Sequence, residues 1–415
     1  MHSFRHRRGV LHCEDVSLVE LAERYDTPLY VYSLATLERH YRVFDEAFSG
    51  VPHIICFAVK ANPCLAILDI LARKGAGADI VSGGELFRAL RAGMDPSKIV
   101  YSGVGKRPEE MAQAVESSIL MFNIESFQEL DALNEVAGRM KSRARVALRV
   151  NPDVDPRTHP YVATGLRMSK FGIRHDSAVE GYERARSHEN IDVVGIDCHI
   201  GSQLTELGPF VDAVRRLREL VLDLRGRGFE IRYLDVGGGL GITYDVEDPP
   251  SPAEYGEAIR KELDLEDITL ILEPGRNLVG NAGILLTRVL YTKETETKSF
   301  AIVDAGMNDL LRPSLYDAYH AIVPVRDEER PVRRMDVVGP ICESGDFLAQ
   351  EREIPELRPG DLVAVMSAGA YGFSMASTYN SRPLAAEVLV SDSDASLVRE
   401  RGTYEDLLRG ERTSG

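Results

Sequence analysis

Between about residue 50 and residue 280, short β-branched runs alternate with amphipathic stretches, and the pair recurs eight times. A series of strands joined by crossovers of helical length is the pattern of a (β/α)8 TIM barrel, an α/β fold. The strand candidates are HIICFAVKAN, GADIVSGG, KIVYSG, LMFNIES, RVALRVNP, VVGIDCHIGS, RYLDVGGG and TLILEPGR. Between them, segments such as 64–75, 210–228 and 251–263 repeat apolar residues at three and four and start after Pro or stop at Gly, so each is predicted as a crossover helix. The barrel is expected over residues 36–282.

After about Gly283 the pattern changes. GILLTRVLYTKE, KSFAIVDAG, RRMDVVGP, DLVAVMSAGAYG and AAEVLVSD are short, β-rich and separated by turns, with no helix of crossover length between them. They predict a mostly antiparallel β domain. TPLYVYS, near the start, has strand composition but no place in the eightfold alternation, which predicts a discontinuous β domain of residues 1–35 and 283–415. The opening MHSFRHRRGV reads as a flexible basic terminus, and the tail from Ser391 as a short helix and a frayed end.

Length and charge narrow the function. The 415 residues suffice for two or three domain-sized units, and 65 acids against 49 Lys and Arg give a net charge of -16, which repels nucleic acid and anionic membrane surfaces. The five cysteines are scattered without CxxC spacing, so neither a disulfide framework nor a metal site is expected, and a reducing cytoplasm fits. Neither a signal peptide nor a membrane span is read in the chain.

In a barrel the catalytic face is built from the C-terminal ends of the strands. Lys60, Asp79, Arg149, His199, Gly237, Gly238, Gly239, Glu273 and Arg276 all fall at such ends. Lys60, in FAVKANP, follows an apolar strand where desolvation favours a neutral, nucleophilic amine, although a strand-end lysine is more often a solvated surface residue. DVGGGLGI offers side-chain-free backbone to a phosphate, and also reads as an ordinary glycine turn. Glu273, after ITLIL, places an acid at the barrel mouth that needs a cationic partner, either a protonated pyridine nitrogen or an arginine. His199 in CHIGSQ is placed to lie on a cofactor ring or to serve the structure alone, and Ser202 to donate to a phosphate. Asp79 and Arg149 either anchor the Lys60 region or pair with neighbours. An amine to hold the aldehyde, a phosphate cradle, a group that sets the charge of the pyridine nitrogen and control of which bond to Cα breaks are what pyridoxal 5'-phosphate requires of a protein.

Seven motifs, FAVKAN, SKFGI, HIGSQ, GGGLGI, EPGR, GPICESGD and GAYGFSMASTYNSRP, follow in one order between residues 55 and 383. In them the chain resembles the diaminopimelate decarboxylase family of fold-type III pyridoxal-phosphate enzymes, related to the ornithine decarboxylases and alanine racemases. The resemblance implies a barrel with a β domain that takes in the N-terminal segment, and a homodimer with active sites at the subunit interface. It implies Lys60 as the Schiff-base lysine, His199 against the ring and Glu273 on the pyridine nitrogen. Ser202, Gly239, the backbone of Gly275 and Arg276, and Tyr371 would hold the phosphate, while Arg276, Arg312, Tyr316 and Tyr371 would contact the substrate. Cys342, as proton donor to Cα, and Glu343, reading the distal end of the substrate, would come from the partner. Phe57 stands where Tyr is frequent in relatives, a change of packing more than chemistry.

The expected reaction is decarboxylation of meso-2,6-diaminopimelate to L-lysine and CO2. Lysine, ornithine, arginine or carboxynorspermidine are alternative substrates for the same machinery, and a non-catalytic pyridoxal-phosphate-binding regulator is the alternative from another class. In alanine racemases the pyridine nitrogen faces an arginine; an acid there keeps the ring cationic and favours loss of CO2. Arg312 and Arg276 are suitable forks for carboxylates, and a thiol can deliver a proton to a carbanion-like centre.

Overall fold

The computed structural model describes residues 2–154 and 170–414, so Ser169, the first residue of SKFGI, lies outside the described residues. Contacts divide the chain into two units. One comprises His40–Ile242 and Asp248–Asn277; the other comprises Met1–Arg39, Thr243–Glu247 and Leu278–Gly415. The five-residue piece was not anticipated in the reading of 36–282 as one block. Tyr244 explains its placement: its ring meets His320 edge-on at 5.2 Å and lies 5.0 Å under the Arg312 guanidinium, both in the β unit.

In the first unit, eight parallel strands close into a ring. His53–Ala58, Gly77–Ile80, Ile99–Tyr101, Met121–Ile124, Ala144–Asn151, Ile191–Asp197, Tyr233–Asp235 and Thr269–Leu272 pair in that order, and the last pairs with the first. Gly77–Ile80 and Met121–Ile124 are buried at every position, as parallel strands covered on both faces must be. Inside the ring, Cys56, Val100, Met121, Ala147, Val194 and Ile271 form one apolar cluster, so the barrel is filled rather than hollow.

The crossover helices start where the local chemistry directs. Ser82 and Ser126, just past the second and fourth strands, accept from the amides of Glu85 and Glu129 and so cap Gly83–Arg91 and Phe127–Arg139. Ser251 and Glu254 form a capping box with Pro252 in the first turn of Pro252–Leu263. The long helix Gly208–Gly226 buries Ala213, Val214, Leu217, Leu220, Val221 and Leu224, the three-and-four spacing read in the sequence.

The second unit is built around Gly283–Glu294, which pairs antiparallel with Leu29–Ser33, Ser299–Val303 and Leu362–Val365. All five residues of Leu29–Ser33 are buried, and its other edge takes Ala386–Ser391 in parallel. Two expectations need correction. The basic N-terminus is not a flexible end: Phe4–Arg7 and Val10–Cys13 form an antiparallel hairpin, turned by Arg8 and Gly9 at φ 50 and φ 76. Phe4, Leu11 and Cys13 are held in the unit's apolar core while the basic side chains stay outside. The tail from Ser391 does contain the expected short helix, Tyr404–Leu407, but it opens with a strand that was not expected, Ala386–Ser391 turning back into Asp394–Arg399. Phe347–Pro355 was also missed, because its charged middle, Glu351 to Glu353, masks the strand pattern. Among the described residues no helix is long and apolar enough to cross a membrane.

Candidate active site

Lys60 lies one residue into the single 3-10 turn Val59–Ala61 that ends the first barrel strand. Its Nζ is 2.5 Å from Oδ2 of Asp79, a wholly buried residue near the end of the second strand. The lysine side chain is 35% exposed, so it is neither a solvated surface residue nor sealed in the core. A buried carboxylate is costly without a cation, and Asp79 holds the lysine over the barrel mouth by supplying the other half of that pair. Gly275 completes this corner, since a Cβ there would lie 3.1 Å from the Cβ of Ala58, just before the Lys60 turn, and 3.0 Å from that of Ala61, its last residue.

Glu273 is buried, and its carboxylate reaches into a polar chain through the barrel. Ser102 Oγ donates to Glu273 Oε1 at 3.4 Å, Asn123 Nδ2 donates to Ser102 Oγ at 3.1 Å and to Asp235 Oδ2 at 3.2 Å, and Asp235 Oδ1 accepts from the Gly237 amide at 2.9 Å. Burial pushes the Glu273 carboxyl well above its usual range, and the nearby charges of Asp235, Asp79 and Asp197 push the same way. Asp235 is raised to about 6 by burial, with Asp79 adding and the Gly237 amide opposing. Burial likewise raises Asp197, with Asp235 adding to it. Ligand atoms of Asp197, Asp235 and Glu273 lie within 4.8 Å of one another, so this cluster demands positive charge, as protons or as a cation. Arg149 supplies some of it: its Nη1 donates to Glu125 at 2.9 Å and its Nε stands 4.0 Å from Asp197.

The glycine run after the seventh strand is fixed by its neighbours. A Cβ at Gly237 would lie 2.6 Å from the Cys198 carbonyl oxygen, at Gly238 2.2 Å from that of Glu273, and at Gly239 2.5 Å from that of Gly201. Gly237 and Gly239 also sit at φ 68 and φ 113, where a side chain is strained. The Gly238 amide donates to His199 Nδ1 at 3.1 Å, which makes Nδ1 the acceptor and leaves the ring proton on Nε2. Burial lowers the His199 pKa far below its ordinary value, with Arg149 and Lys60 adding, so the ring is neutral. Arg276 Nη2 donates to Ser202 Oγ at 3.0 Å.

The barrel therefore brings together Lys60 with Asp79, Gly237 and Gly238 with His199, and Arg276 with Ser202. Ser102, Asn123, Asp197 and Asp235 were not singled out from the sequence. A strand-end signal existed for each, since they close KIVYSG, LMFNIES, VVGIDCHIGS and RYLDVGGG near their C-terminal ends.

In the β unit, Arg312 is buried at the start of the short helix Arg312–Tyr316, with half-buried Tyr316 at its end. His320 Nδ1 donates to the Met366 carbonyl at 2.8 Å, which leaves Nε2 to accept from Arg312 Nε at 3.3 Å. Tyr371 is half-buried at φ 56. Cys342 is exposed, with its amide donating to Asn380 Oδ1 at 2.7 Å, and Tyr379 donates to Glu343 Oε2 at 3.4 Å. Tyr379 and Asn380 sit in the TYNSRP stretch quoted as a motif, yet no role was read for them.

The barrel side of this arrangement fits an aldehyde cofactor bearing a phosphate and a basic ring nitrogen. It has an amine, a loop that admits no side chains, a neutral imidazole, and a buried acid, Glu273, whose hydrogen-bond partner Ser102 is uncharged. Comparison with known proteins points the same way. Residues 34–280 match the family model described as the pyridoxal binding domain of pyridoxal-dependent decarboxylase. The chain is 54% identical over 411 residues to a diaminopimelate decarboxylase of Pseudomonas aeruginosa, covering 99% of both, and 54% identical over 400 residues to one of Vibrio cholerae, covering 96% of both. Among solved structures, it matches the diaminopimelate decarboxylase of Helicobacter pylori complexed with L-lysine at a TM-score of 0.92 and 43% identity, covering 94% of this chain and 98% of that one. It matches that of M. jannaschii in co-complex with L-lysine at a TM-score of 0.95 and 39% identity, covering 99% and 98%.

Proposed function

Because the chain belongs to the pyridoxal-dependent decarboxylase family, we propose that it removes CO2 from meso-2,6-diaminopimelate to give L-lysine. The observation that carries this reading is the barrel-mouth set of Lys60 paired with Asp79, buried Glu273 and the glycine cradle, in a chain about half identical over its full length to enzymes of that name. L-lysine, the product expected here, is what the Helicobacter pylori and M. jannaschii relatives hold.

Pyridoxal phosphate, when bound, supplies the electron sink that takes up the pair left as CO2 departs from Cα. The protein does the rest. Lys60 provides the amine that holds the aldehyde, and Asp79 keeps that amine in place. Glu273, as the carboxylate, would answer the ring nitrogen and keep it cationic, the positive charge that the clustered acids Asp197, Asp235 and Glu273 demand. His199, neutral and held by the Gly238 amide, offers a flat face without a competing charge. Gly237, Gly238, Gly239, Ser202, Gly275, Arg276 and Tyr371 hold the phosphate.

Arg312, Arg276, Tyr316 and Tyr371 bind the substrate. In a homodimer, the partner subunit's Cys342 returns a proton to Cα and the partner subunit's Glu343 reads the distal ammonium group. A distal carboxylate and amine together need both a cation and an anion, which Arg312 and Glu343 supply, whereas a simple diamine precursor needs only the acid. Five scattered cysteines without CxxC spacing fit a cytoplasmic setting.

The test is a substrate panel with pyridoxal phosphate added. Turnover on meso-diaminopimelate should exceed that on L-lysine, L-ornithine and L-arginine by at least about a hundredfold, because an unanswered buried charge in the site is penalised heavily. Equal rates on L-ornithine would overturn the substrate, and Lys60→Ala retaining full turnover and the bound cofactor's visible absorbance would overturn the assignment of Lys60.

A further inference from the structure

We propose that Asn380 is the positioning residue for the Cys342 thiol, an inference that rests on the function proposed above. The GPICESGD loop is tied down around Cys342. At its far end the Asp346 carboxylate accepts from the Ile341 and Met307 amides, both at 2.6 Å, and Ser314 Oγ donates to the Gly345 carbonyl at 2.5 Å. Between these anchors, the Cys342 amide is held by Asn380 Oδ1 at 2.7 Å. The donor there is a backbone N–H, so the atom facing it must be the carboxamide oxygen. That bond sets the tilt of the Ile341–Cys342 peptide plane and with it the direction in which the exposed thiol leaves the chain.

Asn380 is itself fixed. It occupies the left-handed region at φ 56, followed by Ser381 at φ 55, in the turn Tyr379–Ser381. The turn is anchored by Arg382 Nη2 donating to the Asp304 carbonyl at 2.6 Å. Asn tolerates the left-handed region better than most residues, which reconciles a side-chain acceptor with this backbone. The preceding residue, Tyr379, reaches Glu343 at 3.4 Å, so one turn addresses two consecutive residues, the proton donor and the reader of the distal group. Proton delivery to carbon tolerates little misplacement, which gives the contact its functional weight.

Asn380→Gly keeps the left-handed backbone and removes the carboxamide, whereas Asn380→Asp keeps an acceptor oxygen at the same reach. In the pyridoxal-phosphate-loaded protein, Asn380→Gly is expected to lower kcat on meso-diaminopimelate by about tenfold to a hundredfold. KM should stay within about threefold, and Asn380→Asp should recover most of the loss. A second readout needs no turnover. The other four cysteines are buried, so iodoacetamide labels Cys342 selectively, and its rate should change several-fold in Asn380→Gly and return toward wild type in Asn380→Asp. The proposal is overturned by an Asn380→Gly protein that is unfolded, that keeps kcat within about twofold, or that loses kcat and KM together with no recovery in Asn380→Asp. A wild-type protein inactive on meso-diaminopimelate whose labelling rate still responds to both variants would refute the proposed substrate while supporting the positioning contact.

Discussion

Gly238→Ala adds one carbon, and the structure says where it must go: 2.2 Å from the Glu273 carbonyl oxygen and 3.1 Å from the carbonyl carbon. A carbon–oxygen contact settles near about 3.3 Å, so the glycine loop and the end of the eighth strand must part by roughly 1 Å. Two hydrogen bonds bind that seam, Glu273 amide to Gly237 carbonyl at 2.8 Å and Gly238 amide to His199 Nδ1 at 3.1 Å. Overpacking of this kind costs about 1–3 kcal/mol and each of the two weakened hydrogen bonds about 0.5–1.5 kcal/mol, for a total of about 2–6 kcal/mol. At about 2–4 °C per kcal/mol for a unit of this size, the cofactor-free protein should melt about 4–24 °C lower. The same displacement moves the acid, the imidazole and the phosphate cradle together, so affinity for pyridoxal phosphate, read by absorbance titration, should fall by at least about tenfold. Gly226→Ala is the control, because nothing lies within 4 Å of its Cβ at the end of a helix, and it should be neutral or slightly stabilising. A Gly238→Ala protein that melts within about 2 °C of wild type and binds the cofactor equally well would refute this reasoning.

Glu273→Gln keeps the shape of the side chain but cannot supply the negative charge a cationic ring nitrogen needs. It should lower kcat by about 10²–10³-fold with little change in KM; steady-state kinetics on meso-diaminopimelate decide, and a wild-type kcat removes Glu273 from its role. Asp235 gives a pH signature. Its folded pKa is raised to about 6 by burial, so its stabilisation is complete below the usual carboxylate range and is lost as pH rises through about 6. His199, lowered by burial, works the opposite way, losing its contribution as pH falls below about 6.5. The difference in melting temperature between wild type and Asp235→Asn isolates the carboxylate. It should drift in favour of the variant between about pH 4 and about pH 6, and parallel profiles would show that Asp235 does not titrate there.

Much of the barrel was legible because burial in this fold is periodic along the chain. Strands covered on both faces read as apolar runs, and helices with one face on the sheet repeat at three and four. The N-terminal hairpin escaped for the same reason: in FRHRRGVLHC the outward basic residues outweigh Phe4, Leu11 and Cys13, which are buried by strands hundreds of residues away. Phe347–Pro355 hid behind its charged outer positions in the same manner.

The candidate site divides along the same line. A lysine, a glycine run, an acid and an imidazole at successive strand ends could be picked out from the chain alone, because position at a strand end is a property of local sequence. What each of them is could not. That Lys60 faces Asp79, that Gly238 fixes the His199 tautomer, that Ser102 and Asn123 link Glu273 to Asp235, and that Asn380 holds Cys342 are pairings between residues far apart in sequence. Local pattern specifies which residues end a strand; only closure of the ring and of the sheet sets which of those ends meet, and with that the charge each group carries.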